Sequence, residues 1–160
     1  MPDLATPRLL LHPLSAEEAR ALRAEEPLAG WELAPGYPLP DTHDGLGLFL
    51  RHLVERFGFY LVVRAGDGLV IGEIGFVAPP AYGVATIGYG IVPSARRQGF
   101  ATEAIQGLSD WALEQPGVVE VRAETTPDNE PSARALLRAG FVEVEAGERV
   151  RRFVRRVTPG

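Results

Sequence analysis

The stretch that decides the fold is Val92-Pro93-Ser94-Ala95-Arg96-Arg97-Gln98-Gly99-Phe100-Ala101-Thr102-Glu103-Ala104. Its pattern predicts the end of a strand, then a polar loop, then a helix that begins at Gly99. The first turn of a helix presents unpaired N–H groups and a partial positive charge, which suit a diphosphate. The small residues Gly99 and Ala101 would let phosphate oxygens approach the backbone, and Arg96 and Arg97 add positive charge.

Other phosphate-binding loops fit this sequence less well. There is no Gly-Lys-Ser/Thr, so the stretch is not a P-loop. Gly88-Tyr89-Gly90 lies inside a predicted strand and lacks the third glycine of a dinucleotide-binding loop. Taken alone, the stretch is equally compatible with a helix start that happens to carry arginines.

A second pattern follows the next predicted strand. It consists of Asn129, Ser132, Leu136, Gly140 and Phe141. Asn129 comes just before a helix, where its amide can pair with an amide-rich ligand arm. Ser132 and Leu136 are four residues apart and therefore share a helical face. A helix cap at Asn129 with a packed Ser132 is the alternative, and the two interpretations are compatible.

Outward from these motifs, apolar periodicity and turn signals predict the other elements. The predicted strands are Arg8–Leu14, Phe59–Ala65, Leu69–Val77, Val84–Val92, Val118–Thr125, Phe141–Ala146 and Val150–Val157. The predicted helices are Ala16 to about Glu25, Asp41 or Thr42 to about Phe57 with Leu53 on its apolar stripe, Gly99–Glu114, and Pro131–Ala139. We expect an α/β protein with a mixed (α+β) sheet of about seven strands and four helices, in a single domain over residues 1–160.

Composition limits the function. With 46% hydrophobic and 23% charged residues and no apolar run near membrane-spanning length, the chain has the profile of a soluble protein. Met1–Leu14 does not resemble a signal peptide, so we expect a cytoplasmic protein without membrane association. The absence of cysteine excludes disulfides and thiol catalysis, and the three histidines are not at metal-ligand spacing, so no metal is expected. A net charge of −5 argues against nucleic acid as a partner.

The motifs together resemble a known family. Arg96-x-x-Gly99-x-Ala101 is similar to the Gln/Arg-x-x-Gly-x-Gly/Ala signature of the GNAT superfamily of N-acetyltransferases. Further blocks resemble its RimJ/RimL-like branch, which acetylates ribosomal-protein alanine N-termini. These blocks are Thr6-Pro7-Arg8-Leu9-Leu10-Leu11, Ile87-Gly88-Tyr89, Gly99 to Ala104, and Asn129-x-x-Ser132 through Gly140-Phe141. The resemblance covers about residues 6 to 145.

The resemblance implies a GNAT acyl-CoA N-acyltransferase fold in which Val84–Val92 and Val118–Thr125 splay apart around the pantetheine arm. It implies an enzyme that moves acetyl from acetyl-CoA directly to a primary amine, on a small molecule or a protein N-terminus. Homodimers are common in the family. The implied cofactor-binding residues are Ile91, Val92, Arg96, Arg97, Gln98, Gly99, Phe100, Ala101, Thr102, Asn129 and Ser132. Within this set, Ile91 and Val92 would pair with pantetheine amides, Gln98 to Thr102 would hold the pyrophosphate, and Ser132 would approach the thioester sulfur.

Two departures from the family pattern leave the catalytic groups open. Leu136 stands where many members carry a tyrosine acid, so Ser132 is the expected proton donor to the thiolate. Thr86 stands where related sequences often carry glutamate, which leaves Glu73 as the interior carboxylate candidate for the base. Tyr89 is a further catalytic candidate. Glu73 could instead be an edge residue or an ion-pair partner.

Three other interpretations accompany this one. Pro27–Pro40 is expected to be a loop that, together with the Asp41–Phe57 helix, forms the acceptor wall. The arginines of Arg149–Arg156 either line a solvated strand or clamp a phosphate. A binding module, either an acyl-CoA sensor or a pseudoenzyme without efficient turnover, is the alternative function.

Overall fold

A computed structural model describes residues 3–52 and 57–157, and it shows one mixed sheet with helices on both faces. The strands are β1 Leu4–Ala5, β2 Leu9–Pro13, β3 Glu32–Leu33, β4 Phe59–Arg64, β5 Leu69–Phe76, β6 Val84–Ile91, β7 Glu120–Thr125, β8 Val142–Ala146 and β9 Arg151–Arg156. The helices are α1 Ala16–Arg23, α2 Thr42–His52, α3 Phe100–Leu113 and α4 Glu130–Arg138, with a short 3-10 turn at Pro93–Ala95.

The strands lie in the order β1-β2-β4-β5-β6-β7-β9-β8, and β3 pairs with β5. The predicted fold class and sequence of elements are confirmed. The sheet has nine strands in the described ranges, against the predicted seven or so, because β1 and β3 add two residues each. Two residues are too few to show an alternating pattern, and β3 lies within the segment predicted as the loop Pro27–Pro40.

Local signals set the element boundaries. The Ser15 hydroxyl accepts the Glu18 N–H while the Glu18 carboxylate accepts the Ser15 N–H, which is the predicted capping box. The β4–β5 hairpin turns at Gly68, whose φ of 72° suits glycine. The predicted continuation of α2 to Phe57 passes through residues 53–56, Leu53 included, which lie outside the described residues.

The side chains along each strand alternate between the two faces of the sheet, and this alternation separates Tyr89 from Glu73. Tyr60 on β4 and Phe76 on β5 pack against Trp111 of α3, so they mark the α3 face. Tyr89 pairs with Ile74, which pairs with Tyr60, so the Tyr89 side chain shares the α3 face. Glu73 neighbours Ile74 along β5 and therefore points to the opposite face, where α2 lies.

The strands β6 and β7 splay apart, as predicted. Their parallel pairing joins Val84–Ile87 to 120–123 and then stops. β6 nevertheless continues to Ile91 and β7 to Thr125. A gap therefore opens at the carboxyl ends of the two strands, on the side where α3 begins. No helix among residues 3–52 and 57–157 is long and apolar enough to cross a membrane.

The arginine side chains of strand β9 form ion pairs with Asp and Glu side chains of the same chain. Arg151 pairs with Glu143 and Glu130, and Arg152 pairs with Glu124 and Glu145. Arg155 reaches Asp110 on α3. This arrangement favours the solvated, ion-paired strand over the phosphate clamp.

Candidate active site

The backbone of β6 turns polar groups into the gap. The Val92 N–H donates to the Ile71 carbonyl at 2.8 Å, and the Thr86 carbonyl accepts from Val77 at 3.0 Å, so even-numbered residues face β5. Because successive residues of a strand alternate in direction, the backbone groups of Tyr89 and Ile91 face the gap. Of the two predicted pantetheine contacts, Ile91 has its N–H aimed there, whereas the N–H of Val92 belongs to the sheet.

The Arg96 side chain is hydrogen-bonded to the backbone at the end of β6. Arg96 Nε donates to the Ile91 carbonyl at 2.8 Å, which anchors the loop between β6 and α3. Arg97 and Gln98 are exposed, and Arg97 has a φ of 63°. Both predicted cationic residues are therefore exposed, and Arg96 is in addition hydrogen-bonded to the strand end.

Arg8 supports the start of α3 from a distant part of the chain. Arg8 Nη1 donates to the Gln98 carbonyl at 2.8 Å, and its guanidinium lies 4.4 Å from the centre of the Phe100 ring. Gly99 caps the helix with a φ of 80°, and a Cβ there would lie 3.2 Å from Arg8 Nη2. Sequence reasoning missed this contact because the partners are some 90 residues apart. Only the place of Arg8 in the Thr6–Leu11 resemblance pointed to it.

Glu103 fastens the N-terminal strand to α3. Its carboxylate accepts from the Thr6 hydroxyl at 2.5 Å and from the Arg8 N–H and Nε, each at 2.7 Å. Burial alone would raise the pKa of Glu103, but the hydrogen bonds from Thr6 and Arg8 outweigh it and lower that pKa. The carboxylate is therefore ionised and fully engaged, which gives Glu103 a structural role. Ala101 and Thr102 complete the half-buried first turn.

On the α3 face, Tyr89 and Ser132 form a hydroxyl pair. Tyr89 Oη lies 2.5 Å from Ser132 Oγ, and Asn129 Oδ1 accepts the Ser132 N–H at 3.3 Å. Asn129 thus caps α4, while its Nδ2 donates to no described residue. Burial raises the pKa of Tyr89 to about 12, partly offset by the Ser132 hydrogen bond, so both hydroxyls are protonated at neutral pH. Leu136 is fully buried in the core.

On the opposite face, Glu73 lies under the loop that leads into α2. Only 9% of its surface is exposed. The Thr42 hydroxyl donates to Glu73 Oε1 and accepts the Leu39 N–H at 2.8 Å. The buried Tyr37 hydroxyl lies near the same carboxyl, and both burial and that charge raise the pKa of Tyr37. Sequence reasoning placed Tyr37 in the acceptor wall and Thr42 at a helix start, without linking either to Glu73.

The environment of Glu73 favours its protonated form. Burial raises the pKa of Glu73, the Thr42 hydrogen bond and the nearby Tyr37 hydroxyl oppose the rise, and the Asp41 charge adds to it. Glu73 pairs with Gly90, so its carboxyl projects from the strand next to β6, about 4.8 Å away across the sheet. Glu73 on β5 therefore lies on one face of the sheet, and the Tyr89–Ser132 pair lies on the other face.

Comparison with known families agrees with this geometry. Residues 8–142 match the family described as acetyltransferase (GNAT) domain. This chain belongs to the GNAT acetyltransferase family. The predicted GNAT enzyme and its fold are thereby confirmed.

Individual GNAT proteins resemble the chain along most of its length. The N-acetyltransferase YjdG of Bacillus subtilis is 28% identical over 139 residues, covering 83% of this chain and 80% of that protein. The aminoglycoside N(6')-acetyltransferase type 1 of Klebsiella aerogenes is 33% identical over 120 residues, covering 71% and 78%. The solved structure of RimL, a ribosomal L7/L12 alpha-N-protein acetyltransferase in complex with coenzyme A, superposes with a TM-score of 0.71. It is 18% identical, with 97% and 98% coverage, and shows the shared fold.

Proposed function

We propose that this GNAT protein transfers an acetyl group from acetyl-CoA to a primary amine. The observation that carries the proposal is the gap between β6 and β7, into which Tyr89 and Ile91 turn backbone groups beside the first turn of α3. A ligand with amides and a diphosphate matches both features. RimL, which has the same fold, was solved with coenzyme A.

The residues that line the gap fit acetyl-CoA. Bound there, it would supply an activated acetyl thioester. The N–H groups of Gln98 to Thr102 would hold its pyrophosphate, with Arg97 adding charge. The gap-facing backbone groups of Tyr89, the N–H of Ile91 and Asn129 Nδ2 would pair with the pantetheine amides, whereas the Ile91 carbonyl is taken by Arg96. Val92 has no N–H to offer to the ligand, because its N–H is hydrogen-bonded to β5.

Glu73 is the proposed base. An alkyl ammonium has a pKa near 10, so the site must help to remove a proton before the nitrogen can attack. Glu73 lies one strand away from the gap, so it acts through a water molecule. Burial raises the pKa of Glu73, which makes it a stronger base, and Thr42 holds the carboxyl in place. A backbone N–H of β6 that faces the gap stabilises the oxyanion, an effect on the order of 3 kcal/mol.

Ser132 is the proposed proton donor to the departing sulfur. When its Oγ accepts the Tyr89 hydroxyl proton, its own proton is free to point toward the gap. Tyr89 therefore orients the donor and stabilises the serine oxygen. This pair takes the place of the family tyrosine, whose position here is filled by the buried Leu136.

The test measures thiol release from acetyl-CoA against a panel of small amines and peptide N-termini. We expect turnover with at least one class, together with CoA binding by calorimetry. CoA binding without turnover on any amine would favour the acyl-CoA sensor. Absence of CoA binding would contradict both functions.

A further inference from the structure

A cavity of about 430 Å³ lies beside the gap and is used by no step above. It is bounded by the β5–β6 loop, including Pro79 and Tyr82, and by Thr86 and Arg122 on the neighbouring strands. Its other lining residues are apolar, and among the residues that the structure describes Arg122 is the one charged side chain in its wall.

The cavity opens on the same face of the sheet as Glu73. Glu73 pairs with Gly90, and two-residue steps along β6 lead through Gly88 to Thr86, which pairs with Arg122. Gly88 and Gly90 carry no side chains themselves, and the surface over them is formed by Val77 and Leu39. Thr86 and Val84 line the cavity four and six residues from Gly90, so at about 3.3 Å per residue the cavity floor lies about 13–20 Å along the strand from the Glu73 level.

Arg122 brings an uncompensated positive charge to this wall. Its Nη2 donates to Glu120 Oε2 at 2.8 Å, and the other Glu120 oxygen accepts Arg156 Nε, also at 2.8 Å. One carboxylate is therefore shared by two guanidiniums. Burial would raise the pKa of Glu120, but the hydrogen bonds and charges of its two arginine partners outweigh burial and lower that pKa. Arg122 Nε is buried and has no hydrogen-bond partner within the described part of the chain.

We propose that the acceptor is a short peptide-like amine whose free carboxylate is bound by Arg122. The inference rests on the proposed acetyl transfer and names its substrate class. The reacting amine lies at the gap near Glu73, and the carboxylate lies in the cavity. An extended tetrapeptide spans about 13–14 Å, which matches the separation between the Glu73 level and Thr86 along β6. A guanidinium with spare donors binds a carboxylate through charge-assisted hydrogen bonds, and it disfavours a polycationic acceptor such as an aminoglycoside.

The experiment compares tetra-alanine with its C-terminal amide as acceptors. The wild-type protein should prefer the free acid in kcat/KM by about tenfold or more. Arg122→Gln should lower kcat/KM for the acid by about 10- to 100-fold, mainly through KM, and leave the amide nearly unchanged. Arg122→Lys should recover part of the preference.

Arg152→Gln is the matched control, because this arginine pairs with Glu124 and Glu145, contacts neither Glu120 nor Arg122, and does not line the cavity. It should keep the preference for the acid. An equal loss on acid and amide in Arg122→Gln, or a wild-type preference for the amide, would overturn the inference. Turnover of amines without any carboxylate preference defeats this inference alone, whereas no turnover on any amine defeats the proposed function as well.

Discussion

At the scale of single residues, Glu73 combines two roles that oppose each other. Its burial destabilises the charged form, while the proposed chemistry needs that form at working pH. The Thr42 hydroxyl, itself held by the Leu39 N–H, fixes the carboxyl beneath the acceptor loop. Activity and stability should therefore respond in opposite directions when the charge is removed.

Glu73→Gln should lower kcat/KM by about 10²-fold or more and remove the acidic limb of the pH–rate profile, because the amide cannot accept a proton. Thr42→Ser retains the hydroxyl and should stay close to wild type, whereas Thr42→Val should shift the acidic limb. Full activity of Glu73→Gln across the pH range would rule Glu73 out as the base.

The same substitution should change the pH dependence of stability. Because burial raises the folded-state pKa of Glu73, its favourable contribution is present below the ordinary glutamate value and is lost as pH rises through the raised pKa. Glu73→Gln escapes that loss. Urea unfolding should show the variant gaining stability relative to wild type as pH rises from the ordinary glutamate pKa through the raised pKa of Glu73. A pH-independent difference would contradict the raised pKa.

Ser132 and Tyr89 should behave as one unit. Ser132→Ala removes the donor and should slow turnover while CoA affinity stays nearly intact. Tyr89→Phe only releases the orientation of Ser132 Oγ and should cost less. The double variant should be no slower than Ser132→Ala alone, because groups that act together are not additive. Additive losses in kcat would show that the two hydroxyls act separately.

At the scale of elements, the close contact between β5 and β6 requires a glycine at position 72. A Cβ at Gly72 would lie 2.2 Å from the Gly90 carbonyl oxygen, so the two strands would have to separate. A Cβ at Gly90 would meet only the end of the Leu39 side chain, at 2.6 Å, which can rotate away. The two glycines therefore differ in what an added methyl displaces.

Gly72→Ala should destabilise the fold by about 3 kcal/mol or more, since backbone must move. Gly90→Ala should cost about 1 kcal/mol and mainly raise the acceptor KM, because Leu39 belongs to the loop over Glu73. Urea unfolding and steady-state kinetics separate the two effects. Equal destabilisation by both changes would contradict the packing described here.

Elements with long periodic patterns and clear caps were predictable from sequence. The capping box of Ser15 and Glu18 predicted the start of α1, and Gly66-Asp67-Gly68 predicted the β4–β5 hairpin. The short strands β1 and β3 were not, because they form only by pairing with strands already in the sheet. The face on which Glu73 lies and the support of Arg8 for Gln98 likewise depend on tertiary contacts, which local patterns do not carry.

At the scale of the whole molecule, one sheet organises the proposed reaction. Glu73 and the cavity with Arg122 lie on one face, and Tyr89 with Ser132 lies on the other. The gap between β6 and β7 connects the faces at the start of α3. Acceptor and sulfur would thus be handled from opposite sides of the same strand. The central claim is that acetyl-CoA binds at this gap.

The most direct test is calorimetric titration of CoA into wild-type protein, Gly99→Val and Gly117→Val. Both glycines have similar backbone conformations, with φ values of 80° and 84°, but they lie at opposite ends of α3. Both variants should lose comparable stability, on the order of 1–3 kcal/mol, from backbone strain. Only Gly99→Val should weaken CoA binding, by about tenfold or more, because its branched side chain crowds the phosphate site. Unchanged CoA affinity in a folded Gly99→Val protein, or an equal loss in Gly117→Val, would contradict the account.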